Sequence, residues 1–487
     1  MSRITNPALL ILLVFSPVVN AAAPPVDWYA WAKKSEARHA YSLYFGGKKV
    51  GWIIEETKLG VYAGRRVLES INEEYTETAF DGEKSVKEER STTRYSLAGD
   101  GPIVSYESYR KEDGKVTHRR ADRVGDKLRV ITLTGNTKVE RTVPTPKDTL
   151  AAAFSLESWL AGDRKAGDKV TKFGVAWEEN RIDSKQEYLF RERKKILYAG
   201  KPLEVCRIQI TIEGGKMEAQ VMPDNHTVTA EMAKVISVRL DKEADAKKMT
   251  GKVVDLMDLT SVYVQKRLGA ASRVDTLTLE LTGLDDFKVP ASHRQIVTPG
   301  KDKTIVELRR DSRLDAGGDL SKKDRDRFTR TTPRFQSDQP AVLTQAKEIV
   351  GNEKDAMEKA KRIEKWVHKT LKKRYDANAD SALEILSNKA GDCTEHSLIF
   401  VALCRASGVP AREVGGLAYL DGRKPLFGWH AWAEVHDGHQ WVTVDPTWNQ
   451  VYVDGTHLKM SEGERDLTWT NVIGTLKMKV VDVKARK

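Results

Sequence analysis

Residues 428–436 and 439–446 alternate apolar with polar or small side chains on either side of Asp437-Gly438, the pattern of two antiparallel strands joined by a tight turn. A two-residue type I′ turn there sets His436 opposite His439. The pairing beyond is then fixed, because slipping a strand by one residue turns its buried face to solvent. His430 and Asp445 each lie six residues out from that pair. The reading therefore places them opposite each other on one face, with Cβ atoms roughly 4.5–5.5 Å apart. Glu434 with Trp441, and Trp432 with Thr443, would pair on the same face.

The run CTEHSLIFVALCRASG that starts at Cys393 lacks Pro and is apolar on nearly every side from Leu398 to Leu403. It ends at Gly408 with Pro410 just beyond, which predicts a buried helix. Asp392 is its expected N-cap, so Cys393 sits where unpaired N–H groups and the positive end of the helix dipole favour thiolate. A cysteine at a helix terminus, followed by a histidine opposite a carboxylate, is a set suited to nucleophilic chemistry.

The pattern of Trp366, Tyr375, Ala382-Leu383, Gly391-Asp392-Cys393, Arg405 to Arg412, His430-Ala431-Trp432 and Asp445-Pro446-Thr447 resembles the transglutaminase-like core of the papain-like thiol fold, over about residues 338–460. The resemblance implies Cys393 as nucleophile, His430 as general base and acid, and Asp445 as the residue that orients and stabilises the imidazolium. An aromatic residue upstream of the cysteine can help bind the oxyanion in that family. Tyr375 is the nearest match.

Other readings of these residues are plainer. Cys404 lies 11 residues past Cys393, about 20° round the helix, and belongs to the core. His396, His436, His439 and His457 suggest a metal, but no Cys-x-x-Cys or His-Glu-x-x-His is present. No metal or cofactor is expected. Trp429, Trp432, Trp441 and Trp448 read as pocket walls.

Met1-Ser2-Arg3, the apolar stretch Ala8–Val19 and the alanine-rich segment near Ala21-Ala22-Ala23 stand in the order of a secretory signal peptide over 1–23. An exported, periplasmic or secreted protein is expected, and no later apolar run is long enough to span a bilayer. The 487 residues include only three cysteines, so a disulfide framework is not expected. The net charge of +11 comes from mixed-sign surfaces, and no nucleic-acid motif accompanies it. The expected partner is a protein or peptide amide substrate, with the cell envelope as one source. A non-catalytic envelope-binding scaffold with a relic triad is the alternative.

The fold class expected is α+β, a C-terminal transglutaminase-like domain preceded by antiparallel β-rich domains. Short alternating segments predict a large β domain over 24–249, interrupted by a helix at about 147–160 capped by Asp148 or Thr149. A second small β domain is expected at 250–310 and a charged linker at 311–337. The catalytic domain follows over 338–487, opening with one helical stripe from an Asp338 cap through Ala356, Ala360, Ile363, Val367 and Leu371.

Overall fold

The computed structural model describes residues 26–486 apart from 81, 136, 178–180, 252, 314–316, 375–378, 380 and 464–465. The expected signal segment 1–23 and Tyr375 lie outside the described residues. Among the described residues no helix is long and apolar enough to cross a membrane. The chain divides into two compact units between Leu259 and Thr260.

In the first unit, each strand from Ala37–Phe45 to Thr137–Pro144 pairs with the next. After the helix Leu150–Ala161, the strands from Lys169–Ala176 to Ile236–Asp241 do the same, and the last of them returns to Ala37–Phe45 with Tyr41 opposite Leu240. The result is a 15-stranded sheet. Tight turns make this meander possible: Asp113 and Gly114 have φ of 49° and 83°, the paired left-handed geometry of a type I′ hairpin. The helix starts at Thr149, whose hydroxyl accepts the Ala152 N–H. Leu150 packs among Leu68, Tyr95, Ile103 and Leu128 of the sheet.

The second unit holds a six-stranded sheet whose main path runs Gln450–Val451, Trp441–Asp445, Pro425–His436, Ala411–Asp421, His457–Glu462. The helices Cys393–Ala406 and Ala356–Thr370 pack against it, and Pro340–Val350 and Ala382–Asn388 pack on the Cys393–Ala406 helix. Ile363, Val367, Leu398, Phe400, Val435 and Val444 belong to one buried cluster. The single helical stripe expected from Asp338 is two helices. The first takes Gln339 as its cap, and Gly351, at φ 59°, ends it with its N–H on Lys347 O. Asp355 caps the second by accepting the Glu358 N–H at 2.9 Å.

Segments 250–310 and 311–337 do not stand apart as a small domain and a linker. Val274–Thr282 pairs with Lys477–Ala485 near the end of the chain. Asp311 accepts the Thr443 N–H at 2.7 Å, and Gly318 donates to His439 O at 2.8 Å. The charged stretch also carries the helix Lys322–Thr329. Its polar residues serve the unit's own backbone, and that use looks the same in sequence as a solvated surface.

One buried ion network ties three strands of the six-stranded sheet together. Lys459 Nζ lies 3.0 Å from Glu434 Oε1 and 2.5 Å from Glu462 Oε1, and Arg412 lies 2.6 Å from Glu434 Oε2. Burial opposes the Glu434 charge, but Lys459 and Arg412 outweigh it and hold its carboxyl down to about 2. A depressed carboxylate contributes stability above its unfolded pKa and loses it as pH falls towards the folded value. Denaturant melts should therefore show about 3 kcal/mol lost between pH 5 and pH 2 that Glu434→Gln does not lose again, the variant being already destabilised at pH 7. Parallel pH curves for the two proteins would contradict this.

Candidate active site

Cys393 is the first residue of the helix Cys393–Ala406. Asp392 caps it as expected, with Oδ1 accepting the Thr394 N–H at 2.7 Å, and Glu395 Oε2 accepts the Asp392 N–H at 2.9 Å. This reciprocal box fixes the angle at which the helix begins. The first intrahelical bond is His396 N–H to Asp392 O, so the Cys393 N–H precedes the ladder and is one of the donors a helix start leaves over. At the far end, Gly408 at φ 78° and Val409 N–H on Cys404 O close the helix before Pro410. Cys404 lies in the apolar cluster, as expected.

The hairpin carries His430 and Asp445 together, though not by the expected register. Asp437 Oδ1 accepts the N–H groups of both His439 and Gln440 at 2.8 Å. This Asx turn closes a loop of four residues between the paired His436 and Trp441. Glu434 therefore faces Thr443, not Trp441, and the register is two residues from the one expected. A two-residue shift keeps every side chain on its own face. His430 thus meets Asp445 diagonally, a separation that long side chains bridge. Its Nε2 lies 2.8 Å from Asp445 Oδ2, and both side chains are buried. Asp445 Oδ1 accepts the Thr447 and Trp448 N–H groups at 2.8 and 3.2 Å. The Trp448 ring stacks on His430 with centroids 4.2 Å apart and 15° between planes.

With Nε2 on the carboxylate, His430 Nδ1 carries the free lone pair, and it is buried with no hydrogen-bond partner. The next residue's backbone, Ala431 N–H, points at the Cys393 thiol. Helix start and strand therefore converge on the same point. Trp429 and Trp432 line this strand, and Trp429 Nε1 donates to Thr260 O at 2.9 Å. Trp441 instead lies under the Arg412 guanidinium, 4.2 Å from its ring centroid, and is no wall of the site.

The electrostatics overturn one expectation. Burial pushes the Cys393 thiol up to about 12. Burial likewise pulls His430 down to about 4 against the pull of Asp445. A helix terminus offers about 0.3–1 kcal/mol to a nearby charge, less than full burial takes from it. Burial thus disfavours both charges of a thiolate–imidazolium pair. Iodoacetamide alkylation of Cys393 should then quicken about tenfold per pH unit from pH 6 to pH 10, without a plateau. All three cysteines are buried, but only Cys393 has the strand of His430 at its thiol, so peptide mapping should find it labelled before Cys404 and Cys206. A rate already level at pH 6 would mean a preformed thiolate–imidazolium pair.

The four histidines weighed as metal ligands do not converge among the described residues. His396 Nδ1 lies 2.6 Å from Asp392 O in its own helix, and His436 Nδ1 accepts the Gly438 N–H. One of them, His457, does join the site. Its Nε2 lies 3.3 Å from Asp445 Oδ2 and its Nδ1 3.3 Å from Asp454 Oδ1. The ligand-capable atoms of His430, Asp445 and His457 all lie within 4.8 Å of one another. Hydrogen bonds among themselves, and to Thr447, Trp448 and Asp454, account for this closeness. His457, weighed above only as a metal ligand, and Asp454 thus join the site beyond the residues expected from the sequence. The Asp454-Gly-Thr-His457 segment just past Asp445 was the available signal.

Residues 344–446 match the family model of the transglutaminase-like superfamily. An uncharacterized protein of Haemophilus influenzae is 31% identical over 96 residues, 18% of this chain and 26% of that protein. This chain therefore spans about a quarter of that relative's length. A Cytophaga hutchinsonii structure described as a candidate cysteine protease aligns over 44% of this chain and 87% of its own, at 19% identity and a TM-score of 0.31. A candidate protease from Parabacteroides distasonis aligns over 71% and 69%, at 11% identity and a TM-score of 0.18.

Proposed function

We propose that this chain, which carries a transglutaminase-like domain at residues 344–446, is an exported cysteine enzyme that transfers acyl groups from amide bonds to water or to an amine. The family match supports a cysteine-dependent enzyme in general. The observation that carries the finer reading is the convergence at His430: Nε2 on Asp445, Nδ1 buried and unpartnered, and the adjoining Ala431 N–H at the Cys393 thiol.

In this reading Cys393 Sγ attacks the amide carbonyl while His430 Nδ1 takes the thiol proton. A neutral thiol and a neutral imidazole suit that concerted step, and Asp445 stabilises the imidazolium as it forms. The developing oxyanion is met by the Cys393 N–H. His430 then protonates the departing amine, the tetrahedral adduct collapses to a thioester, and water or a second amine releases the acyl group. Hydrolysis is the preferred outcome, because water is always available as acceptor and nothing in the sequence identifies an amine site. A panel of glutamine-containing and simple peptide amides tests the reading, with ammonia release and amine incorporation measured side by side. Turnover unchanged in Cys393→Ala would reject it.

A further inference from the structure

Asp445 faces two imidazoles, and only one belongs to the triad. Its Oδ2 lies 2.8 Å from His430 Nε2 and 3.3 Å from His457 Nε2, and the other nitrogen of His457 lies 3.3 Å from Asp454 Oδ1. The side chains of Asp445, Asp454 and His457 are all fully buried. A neutral imidazole donates from one nitrogen only. With a carboxylate oxygen at each nitrogen and water excluded, a neutral His457 would aim a lone pair at a buried anion. Both carboxylates are also fixed in place. Asp454 Oδ1 accepts from Thr456 N–H at 2.9 Å and Oγ1 at 2.6 Å, and its Oδ2 accepts from Gln450 Nε2 at 3.0 Å. The buried Arg294 donates to the backbone carbonyls of His457 and Asp454 at 2.9 and 3.0 Å.

We propose that His457 is a positioning residue: a buried imidazolium, bridged between Asp454 and Asp445, that pins the triad carboxylate and takes up part of its charge. His430 is thereby kept neutral, with Nδ1 free for the thiol proton. The inference rests on the triad reading above. The charged and titratable groups around His457 are Asp445, Asp454, His430 and Arg294; Lys459, two residues on, is engaged by Glu434 and Glu462. Burial disfavours a charged His457, yet Asp445 and Asp454 outweigh it and raise the ring above the ordinary histidine value. The His430 and His457 ring centroids are 6.1 Å apart, so a cation at one opposes a cation at the other. If the charge at His457 is removed, Asp445 is left wholly to His430, which becomes the stronger base.

The test uses the full chain with His457→Gln and, keeping the ring but loosening its bridge, Asp454→Asn. Nitrogen-15 histidine spectra followed through a pH titration should show one ring that keeps both protons to higher pH than an ordinary histidine, a signal absent in His457→Gln. Iodoacetamide alkylation of Cys393 should gain a plateau on the acid side in both variants and run about tenfold faster at pH 6 for each unit by which His430 rises. Amide turnover should fall with KM unchanged. A merely loosened fold would speed alkylation equally at every pH and expose Cys404 as well. Variant profiles of wild-type shape, or a His457 ring neutral at pH 7, would overturn the inference. A wild-type Cys393 that never reacts, beside an intact His457 signal, would instead reject the triad.

Discussion

Asp445→Asn is expected to lower the acyl-transfer rate by about four orders of magnitude and to destabilise the protein as well. The rate effect comes from charge and tautomer. An amide cannot stabilise the imidazolium that His430 becomes, and its NH2 group, donating to Nε2, favours the tautomer with the proton on Nδ1, which then presents no lone pair to Cys393. The stability effect comes from crowding around one carboxylate, which accepts from His430, His457, Thr447 and Trp448 at once. An asparagine has one acceptor oxygen for these donors, and the buried His457 cation loses a partner. Breaking a buried pair in this way costs about 3–5 kcal/mol. Thermal melts and amide turnover on the same sample separate the two effects. A variant that melts lower but turns over at the wild-type rate would remove Asp445 from the chemistry.

Cys393→Ala is expected to abolish turnover to background while leaving the protein folded, with a melting temperature lowered by no more than that of Cys404→Ala. The side chain sits at the start of its helix, outside the apolar cluster that holds Cys404. Deleting the buried sulfur removes one heavy atom, and the Asp392–Glu395 capping box is untouched. Members of a nucleophilic unit act together, so losing the nucleophile costs about as much as losing the whole set, on the order of 10⁶ in rate. Cys404→Ala should do the reverse. It opens a cavity in the buried cluster, costs about 1–3 kcal/mol, and leaves the residual folded enzyme active. If Cys393→Ala retained turnover, the nucleophile would lie elsewhere in the chain.

Periodicity made much of the architecture legible. Alternating segments with Gly-containing turns foretold the β meander, and Thr149 marked the start of the helix within it. The Cys393 helix could be read from its cap to its terminating glycine, because both ends carry local chemical signals. The hairpin register could not. Asp437-Gly438 has the composition of a two-residue turn, but the Asp437 carboxylate gathers the His439 and Gln440 N–H groups and lengthens the loop. His430 and Asp445 still meet because the shift is even. The protonation states were also beyond sequence: a helix terminus is visible in a sequence, whereas burial of Cys393 is a product of the whole domain. His457 escaped for a similar reason. Its role exists only because the chain after Asp445 folds back to bring Asp454, Thr456 and His457 beneath the triad carboxylate.

Covalent acylation of Cys393 can be read directly by intact-mass analysis of the protein quenched in acid during turnover of an amide substrate. A population heavier by the mass of the acyl group is expected, located on the Cys393 peptide, released by hydroxylamine as a thioester is, and absent from Cys393→Ala. Turnover by wild type with no such adduct, together with undiminished turnover by Cys393→Ala, would contradict acylation of Cys393.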